Sequence, residues 1–233
     1  MIHREAAPLR SQVVQALRAH IVDETYPPGS RLKERDLCAA YEVSRTVIRE
    51  ALRQLESEHL VRIEPQFGPV VVTLTEADVR DLYETRAALE SAAGRLAAER
   101  ASDEQLDRLV EIFDEIVAAR TLPLDELIEL KNRFYDALVE ASGNKVIKEM
   151  LDNIQARVSQ LRRLTLGSPN RHQAMVDELG AVLRAIKARD PQAAAEACLV
   201  HVESAARIAL ESKRSRDGAA HPTEAMTRPS VRE

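Results

Sequence analysis

Tryptophan is absent from this chain, aromatic residues make up only 3% of it, and glycine occurs just seven times in 233 residues. With 45% hydrophobic and 30% charged residues, that composition suits helices far better than a strand-rich fold, so a mainly α architecture is expected. Cysteine is scarce too. Cys38 and Cys198 each sit inside an apolar helical pattern, where a reduced thiol acts as a small hydrophobe, and a cytoplasmic location is expected. Long hydrophobic runs are missing. Nothing approaches the roughly 18–20 apolar residues that span a bilayer, and the opening MIHREAAPLR has no signal-peptide core, so no membrane partner is expected. The net charge of −5 argues against indiscriminate coating of nucleic acid, but leaves room for a local basic face.

What is present is organised around residues 44–61, SRTVIREALRQLESEHLV. At helical spacing Ile48, Leu52 and Leu55 fall on one side, and Arg45, Arg49 and Arg53 recur on another. An arginine row of this kind is either a solvated surface or a groove-reading face, and periodicity alone leaves both open. Upstream, Val13, Leu17 and Ile21 mark a helix from Pro8 to about Tyr26 that ends at Pro27-Pro28-Gly29. Leu37, Ala40 and Tyr41 then mark a short helix that stops near Glu42-Val43, and Ser44 is placed as N-cap of the next. Helix, tight turn and helix is the arrangement of major-groove readers. Downstream, VRIEP and PVVVT are short β-prone runs separated by Gln66-Phe67-Gly68, the pattern of a small hairpin or wing.

These residues resemble the winged helix-turn-helix of the GntR family of bacterial transcription regulators, over residues 8–74. The resemblance rests on the proline-glycine, the glutamate-arginine-acid run, the valine-serine-arginine-threonine turn, arginine-glutamate-alanine-leucine and the glycine-containing wing. It implies DNA contacts by Arg35, Ser44, Arg45, Thr46, Arg49 and Gly68. Arg45 and Arg49 would reach base edges and the two hydroxyls phosphates, while Gly68 would let the wing approach the minor groove. Arg35 is also placed to pair with Asp36 or Glu34, and Arg53 lies on the fringe of the face.

Thr75-Glu76-Ala77-Asp78 reads as a capping-box start and marks the domain boundary. About six helices are expected from there to Lys213, with a break at Gly167-Ser168-Pro169, and 214–233 is expected as a disordered tail. YETRAALESAAGRLAAERAS, RFYDALVEASGN and LRAIKARDPQAAAEACLVHV make residues 76–213 similar to the FCD effector-binding domain of one GntR subfamily.

Polar residues on apolar stripes mark the candidate effector site: Arg86, Lys131, Tyr135, Arg157 and His201. Inward cations without partners cost several kcal/mol each unless compensated, and Glu90 balances only part of the set, so an anionic ligand is expected. Taken singly, Lys131 and Arg157 fit snorkelling or an internal ion pair, His201 a hydrogen-bonded core histidine and Tyr135 plain packing. The resemblance adds a departure. Many FCD domains hold a divalent metal through an aspartate and three histidines. At those positions this chain has Lys131, Tyr135, Leu179 and His201, so no metal and no cofactor are expected. The expectation is a homodimeric repressor that reads a palindromic double-stranded DNA operator and responds to a small organic acid. Two alternatives are a DNA-binding protein whose helical domain only dimerises, and an enzyme processing a small acid; no catalytic motif supports the latter.

Overall fold

The computed structural model describes residues 6–166 and 171–220. Among these, α1 (Ala6–Val22), α2 (Glu34–Tyr41) and α3 (Arg45–Ser57) precede a hairpin of β1 (Val61–Glu64) and β2 (Gly68–Val71). Then come α4 (Glu76–Arg100), α5 (Asp103–Ala118), α6 (Leu124–Ala141), α7 (Lys145–Leu166), α8 (Arg171–Lys187) and α9 (Pro191–Ala220). The fold is mainly α, a winged helix-turn-helix followed by a helical bundle. No helix among the described residues is long and apolar enough to cross a membrane.

The first unit has its own core. Val13, Val14, Leu17 and Ile21 of α1 meet Leu37 of α2, Ile48, Leu52 and Leu55 of α3, and Val61 and Val71 of the hairpin, all buried. α1 ends earlier than its pattern suggests, at Val22 rather than Tyr26. Glu24 takes a left-handed conformation and the Tyr26 amide turns back to the His20 carbonyl at 2.8 Å. The tight turn between α2 and α3 is made by Glu42 at φ 54°, where the side chain costs about 1 kcal/mol relative to glycine. Ser44 caps α3 by accepting the Val47 amide at 3.4 Å.

β1 and β2 are antiparallel, with Val61 opposite Val71 and Glu64 opposite Gly68. Residues 29–32 pair along the free edge of β2, through Gly29 N to Val71 O at 2.9 Å and Leu32 N to Pro69 O at 2.8 Å. That third strip is short and irregular, and its sequence carries no alternation to announce it.

In the bundle, α4 and α5 begin with full capping boxes, Thr75 with Asp78 and Ser102 with Gln105. α4 lies close against α9. A Cβ on Gly94 would come within 2.5 Å of Cys198 Sγ, so glycine is what permits this approach. A large core under α5, α6 and α8 includes Leu109, Phe134, Leu138, Met175 and Ile186. A second, of Val79, Leu82, Val158, Leu161 and Val202, lies nearer the winged unit.

The two units touch through α1 and α7. Ala156 packs on the winged core, and Arg163 Nη2 donates to the Asp23 carbonyl at 3.4 Å. A second tie corrects the expected tail. α9 does not stop at Lys213 but continues to Ala220, because Arg214 pairs with Glu76 at 2.9 Å and Arg216 with Glu24 at 2.9 Å. Residues 221–233 and the expected break at Gly167-Ser168-Pro169 lie outside the described residues.

Candidate functional site

On α3 the side that does not pack carries Arg45, Thr46, Arg49 and Arg53, all exposed, with Ser44 exposed at its N-terminus. Arg49 Nε is held by both carboxylate oxygens of Glu34 at 3.0 Å, an exposed pair that leaves its terminal nitrogens unclaimed among the described residues. Glu34 therefore orients the guanidinium as well as neutralising it. Arg35 is widely exposed and 3.2 Å from Asp36, and Glu50 lies toward Arg10 of α1 at 4.0 Å. Gly68 opens β2 at φ 84°, with nothing within 4 Å of a notional Cβ. Arg49, Arg53, Ile63, Gly68 and Pro69 line one cleft between α3 and the wing. Arg53 thus sits closer to the wing than its fringe position suggested. Phe67 of the expected hairpin bend is 61% exposed, a position to which no periodic signal assigns a role.

The second site lies inside the bundle. Arg86 and Glu90 of α4, Lys131 of α6, Arg162 of α7, Arg171 of α8 and His201 of α9 are all buried. The Tyr135 ring is the common neighbour of four of them. Arg86 Cζ lies 5.6 Å, Lys131 Nζ 5.9 Å and Arg162 Cζ 4.8 Å from its centroid, and the His201 ring lies 6.1 Å away. Four side chains that sequence periodicity pointed inward, Arg86, Lys131, Tyr135 and His201, are therefore brought together. Arg157 is not among them. It is half-buried, lining a cleft of about 660 Å³ between the wing and α4 with Asp78 among its neighbours. The apolar stripe of α7 runs through Ile154, Val158 and Leu161, while Met150 is 51% exposed. That rotation turns Arg162 inward instead, where Asn132 Oδ1 accepts from its Nη1. Arg171 is the other cation missed.

The charges do not balance. Glu90 accepts from Arg86 Nε at 2.7 Å, and Glu178 accepts from both Arg171 terminal nitrogens at 2.8 and 2.6 Å. His201 Nδ1 lies 2.6 Å from Glu178 Oε2. A carboxylate only accepts, so Nδ1 carries the proton and Nε2 is left as an acceptor. Burial, then Lys131, push the imidazole down to about 3, against the pull of Glu178, so the ring is neutral near pH 7. Burial alone would raise Glu178, but its bonds from His201 and Arg171 hold it well below the usual carboxylate range. For Lys131, burial and then Arg162, Arg86 and Arg171 press the amine strongly toward its neutral form.

Two carboxylates thus face three guanidiniums and a lysine. Among the described residues, the Tyr83 and Tyr135 hydroxyls, both Nη atoms of Arg86, Glu90 Oε2, the Nε atoms of Arg162 and Arg171, and His201 Nε2 have no hydrogen-bond partner. Buried polar atoms left this way cost about 1–3 kcal/mol each, so the cluster is costly unless a ligand completes it. A divalent metal does not fit. Lys131, Tyr135 and Leu179 supply no ligating carboxylate or imidazole, and three guanidiniums repel a cation. A cavity of about 20 Å³ touches Glu90, Tyr135 and Arg162, room for one water. It shares Asp136, Lys148, Asp152 and Gln155 with a cleft of about 790 Å³ between α1 and the α6–α7 pair.

The chain matches the FCD domain over residues 81–204 and the model for bacterial regulatory proteins of the gntR family over residues 9–71. The HTH-type transcriptional regulator YdhC of Bacillus subtilis (strain 168) is 29% identical over 83% of this chain and 88% of its own. The HTH-type transcriptional repressor RspR of Escherichia coli (strain K12) is 26% identical over 84% of this chain and 86% of its own. Among solved structures, E. coli McbR/YncC superposes with a TM-score of 0.75 at 22% identity, covering 88% of this chain and 98% of that one, a likeness of fold. With a winged helix-turn-helix ahead of an FCD bundle, this chain belongs to the GntR family of bacterial transcription regulators and is not an enzyme.

Proposed function

We propose that the protein is a homodimeric repressor, expected in the cytoplasm, that reads a palindromic operator and responds to a small carboxylate-bearing metabolite bound among Arg86, Lys131, Tyr135, Arg162, Arg171 and His201. The observation that carries the effector half is the excess of buried cations over carboxylates around Tyr135. A carboxylate between Arg86 and Arg162 would occupy donors that now lack partners. On the DNA side, Arg45 and Arg49 would read base edges, with Glu34 aiming Arg49. Ser44 and Thr46 would bond phosphates, Arg35 would contact the backbone, and Gly68 would bring the wing to the minor groove. RspR, named a repressor, supports the sign of regulation, and two-fold operator symmetry calls for two copies of the chain.

The 20 Å³ cavity is too small for an organic acid, so binding has to part α4, α6 and α7. The adjoining cleft, bounded by α1 of the winged unit, is the route in. On α7, Arg162 faces the cluster while its neighbour Arg163 bonds Asp23 at the end of α1. A ligand that draws Arg162 inward shifts the winged unit through Arg163, and so changes the population of the DNA-competent form.

That same closed cavity favours a second reading, in which the helical domain only dimerises. Thermal shift with a panel of organic acids, followed by operator gel shifts, separates the two. Raised melting by an acid together with altered operator affinity supports a sensor. No shift by any acid, with dimerisation and operator binding intact, supports the scaffold.

A further inference from the structure

Lys131 is the cluster member that ion pairing accounts for least. It is 1% exposed, and the carboxylates of the cluster pair instead with Arg86, Arg171 and His201. Arginine stays protonated at any pH the protein meets, so in the free protein the crowding of Arg162, Arg86 and Arg171 adds to burial in favouring the neutral amine. A desolvated amine beside fixed cations is a nucleophile toward carbonyl carbon. Its surroundings suit that chemistry. Arg86 and Arg162 stand at the same Tyr135 ring as the amine, with free nitrogens to hold a carboxylate. The Tyr135 hydroxyl is buried without a partner among the described residues, and burial keeps it protonated.

We propose that the effector is a 2-oxo acid held as a reversible imine on Lys131 Nζ, with its carboxylate between Arg86 and Arg162. This rests on the effector reading above. In a 2-oxo acid the carbonyl carbon is bonded to the carboxylate carbon, so amine and guanidiniums must converge, as they do around Tyr135. The Nζ lone pair adds to that carbon and the carbonyl π pair moves to oxygen. One Nζ proton passes to the oxygen, giving a carbinolamine. The hydroxyl then leaves as water with the Tyr135 proton as the nitrogen lone pair forms C=N, and the remaining nitrogen proton restores the phenol. Amine and carbonyl become imine and water, with no redox change, and hydrolysis returns the ligand intact. Arg86 and Arg162 position, Lys131 bonds, and Tyr135 shuttles a proton.

The test uses the full-length protein with pyruvate, 2-oxobutyrate or 2-oxoglutarate, each with and without sodium borohydride, followed by peptide mapping by mass spectrometry. Lactate and succinate serve as acids without a reactive carbonyl, and Lys131→Arg keeps nitrogen donors at the position but forms no imine. Expected is a borohydride-dependent adduct on Lys131 with at least one oxo acid, absent with lactate and succinate and lost in Lys131→Arg. An oxo acid that raises the melting temperature without yielding that adduct overturns the imine and leaves the effector site standing. So does stabilisation by lactate or succinate with none of the oxo acids binding. Labelling spread equally over surface lysines overturns it as well. If no acid of either kind stabilises the protein, the imine and the effector reading fall together. The wild-type map decides even if the arginine variant does not fold.

Discussion

Exchanging Lys131 for methionine keeps the length of the side chain and removes its amine, which makes it a direct measure of what the cluster costs the free protein. The amine is buried, faces three guanidiniums and has no carboxylate of its own, since Glu90 is taken by Arg86 and Glu178 by Arg171 and His201. Replacing buried ionic groups by apolar ones of similar volume often stabilises by about 1–4 kcal/mol. At about 2–4 °C per kcal/mol for a unit of this size, Lys131→Met should raise the melting temperature by roughly 5 °C near pH 7. The pH dependence gives an independent arm. The folded pKa of Lys131 is depressed while the unfolded amine titrates near 10.5, so between those two values the unfolded state binds the extra proton. Wild-type stability therefore climbs with pH through that window, by at most about 1.4 kcal/mol per unit, and the methionine variant lacks this climb. Thermal melts of both proteins from pH 7 to 9.5 should show the gap narrowing. A variant less stable than wild type at pH 7, or a gap that stays flat, would refute the reasoning and place Lys131 in a net favourable pair with Glu90.

The DNA face yields a sharper contrast. Arg45→Ala or Arg49→Ala should each weaken specific operator binding by about 1–3 kcal/mol in gel shifts and relax base preference, whereas Glu34→Gln should weaken it less, through the aim of Arg49. Acid should destabilise the bundle. His201, neutral when folded with its pKa at about 3, loses about 2–3 kcal/mol to the unfolded state by pH 4.5 as that state takes up the proton, and Glu178 acts in the same direction. His201→Gln should flatten its share of the melting-temperature decline below pH 6.5. Arg163→Ala should leave stabilisation of the helical domain by a bound organic acid intact while blunting the operator response; an unchanged response places the coupling elsewhere.

The packing of the winged unit was legible because its stripes are undisturbed: Val13, Leu17 and Ile21 of α1 and Ile48, Leu52 and Leu55 of α3 are buried as their spacing requires. In the bundle, Arg86, Lys131, Tyr135 and His201 stood out as polar residues on apolar stripes. A stripe drawn through Met150, Ile154 and Leu161 at helical spacing takes in Arg157. Met150 is solvent-facing, and taking Val158 instead turns the helix by one residue, about 100°, which brings in Arg162. That signal was present, four residues beyond Val158. Arg171 opens α8, so no preceding turn gives it a period; its spacing to Met175 and Glu178 is the one sequence signal that points it inward. The last turns of α9, RSRDGAA, carry no apolar stripe, which is why the sequence marks them as tail. Their helix is held by charge, through Arg214 and Arg216, which apolar periodicity does not register.

One unbroken α9 carries His201 in the cluster and Arg216 on Glu24 of the winged unit. Fifteen residues of helix separate them, about 22 Å at 1.5 Å per residue. A rod does not distinguish which end is pushed. If the metabolite lowers operator affinity by some factor, operator DNA must lower metabolite affinity by the same factor, commonly about 5–150-fold for a coupling of this kind. The effector constant measured on free protein would then describe the sensor after release, while the concentration that triggers release from the operator would be higher by that factor.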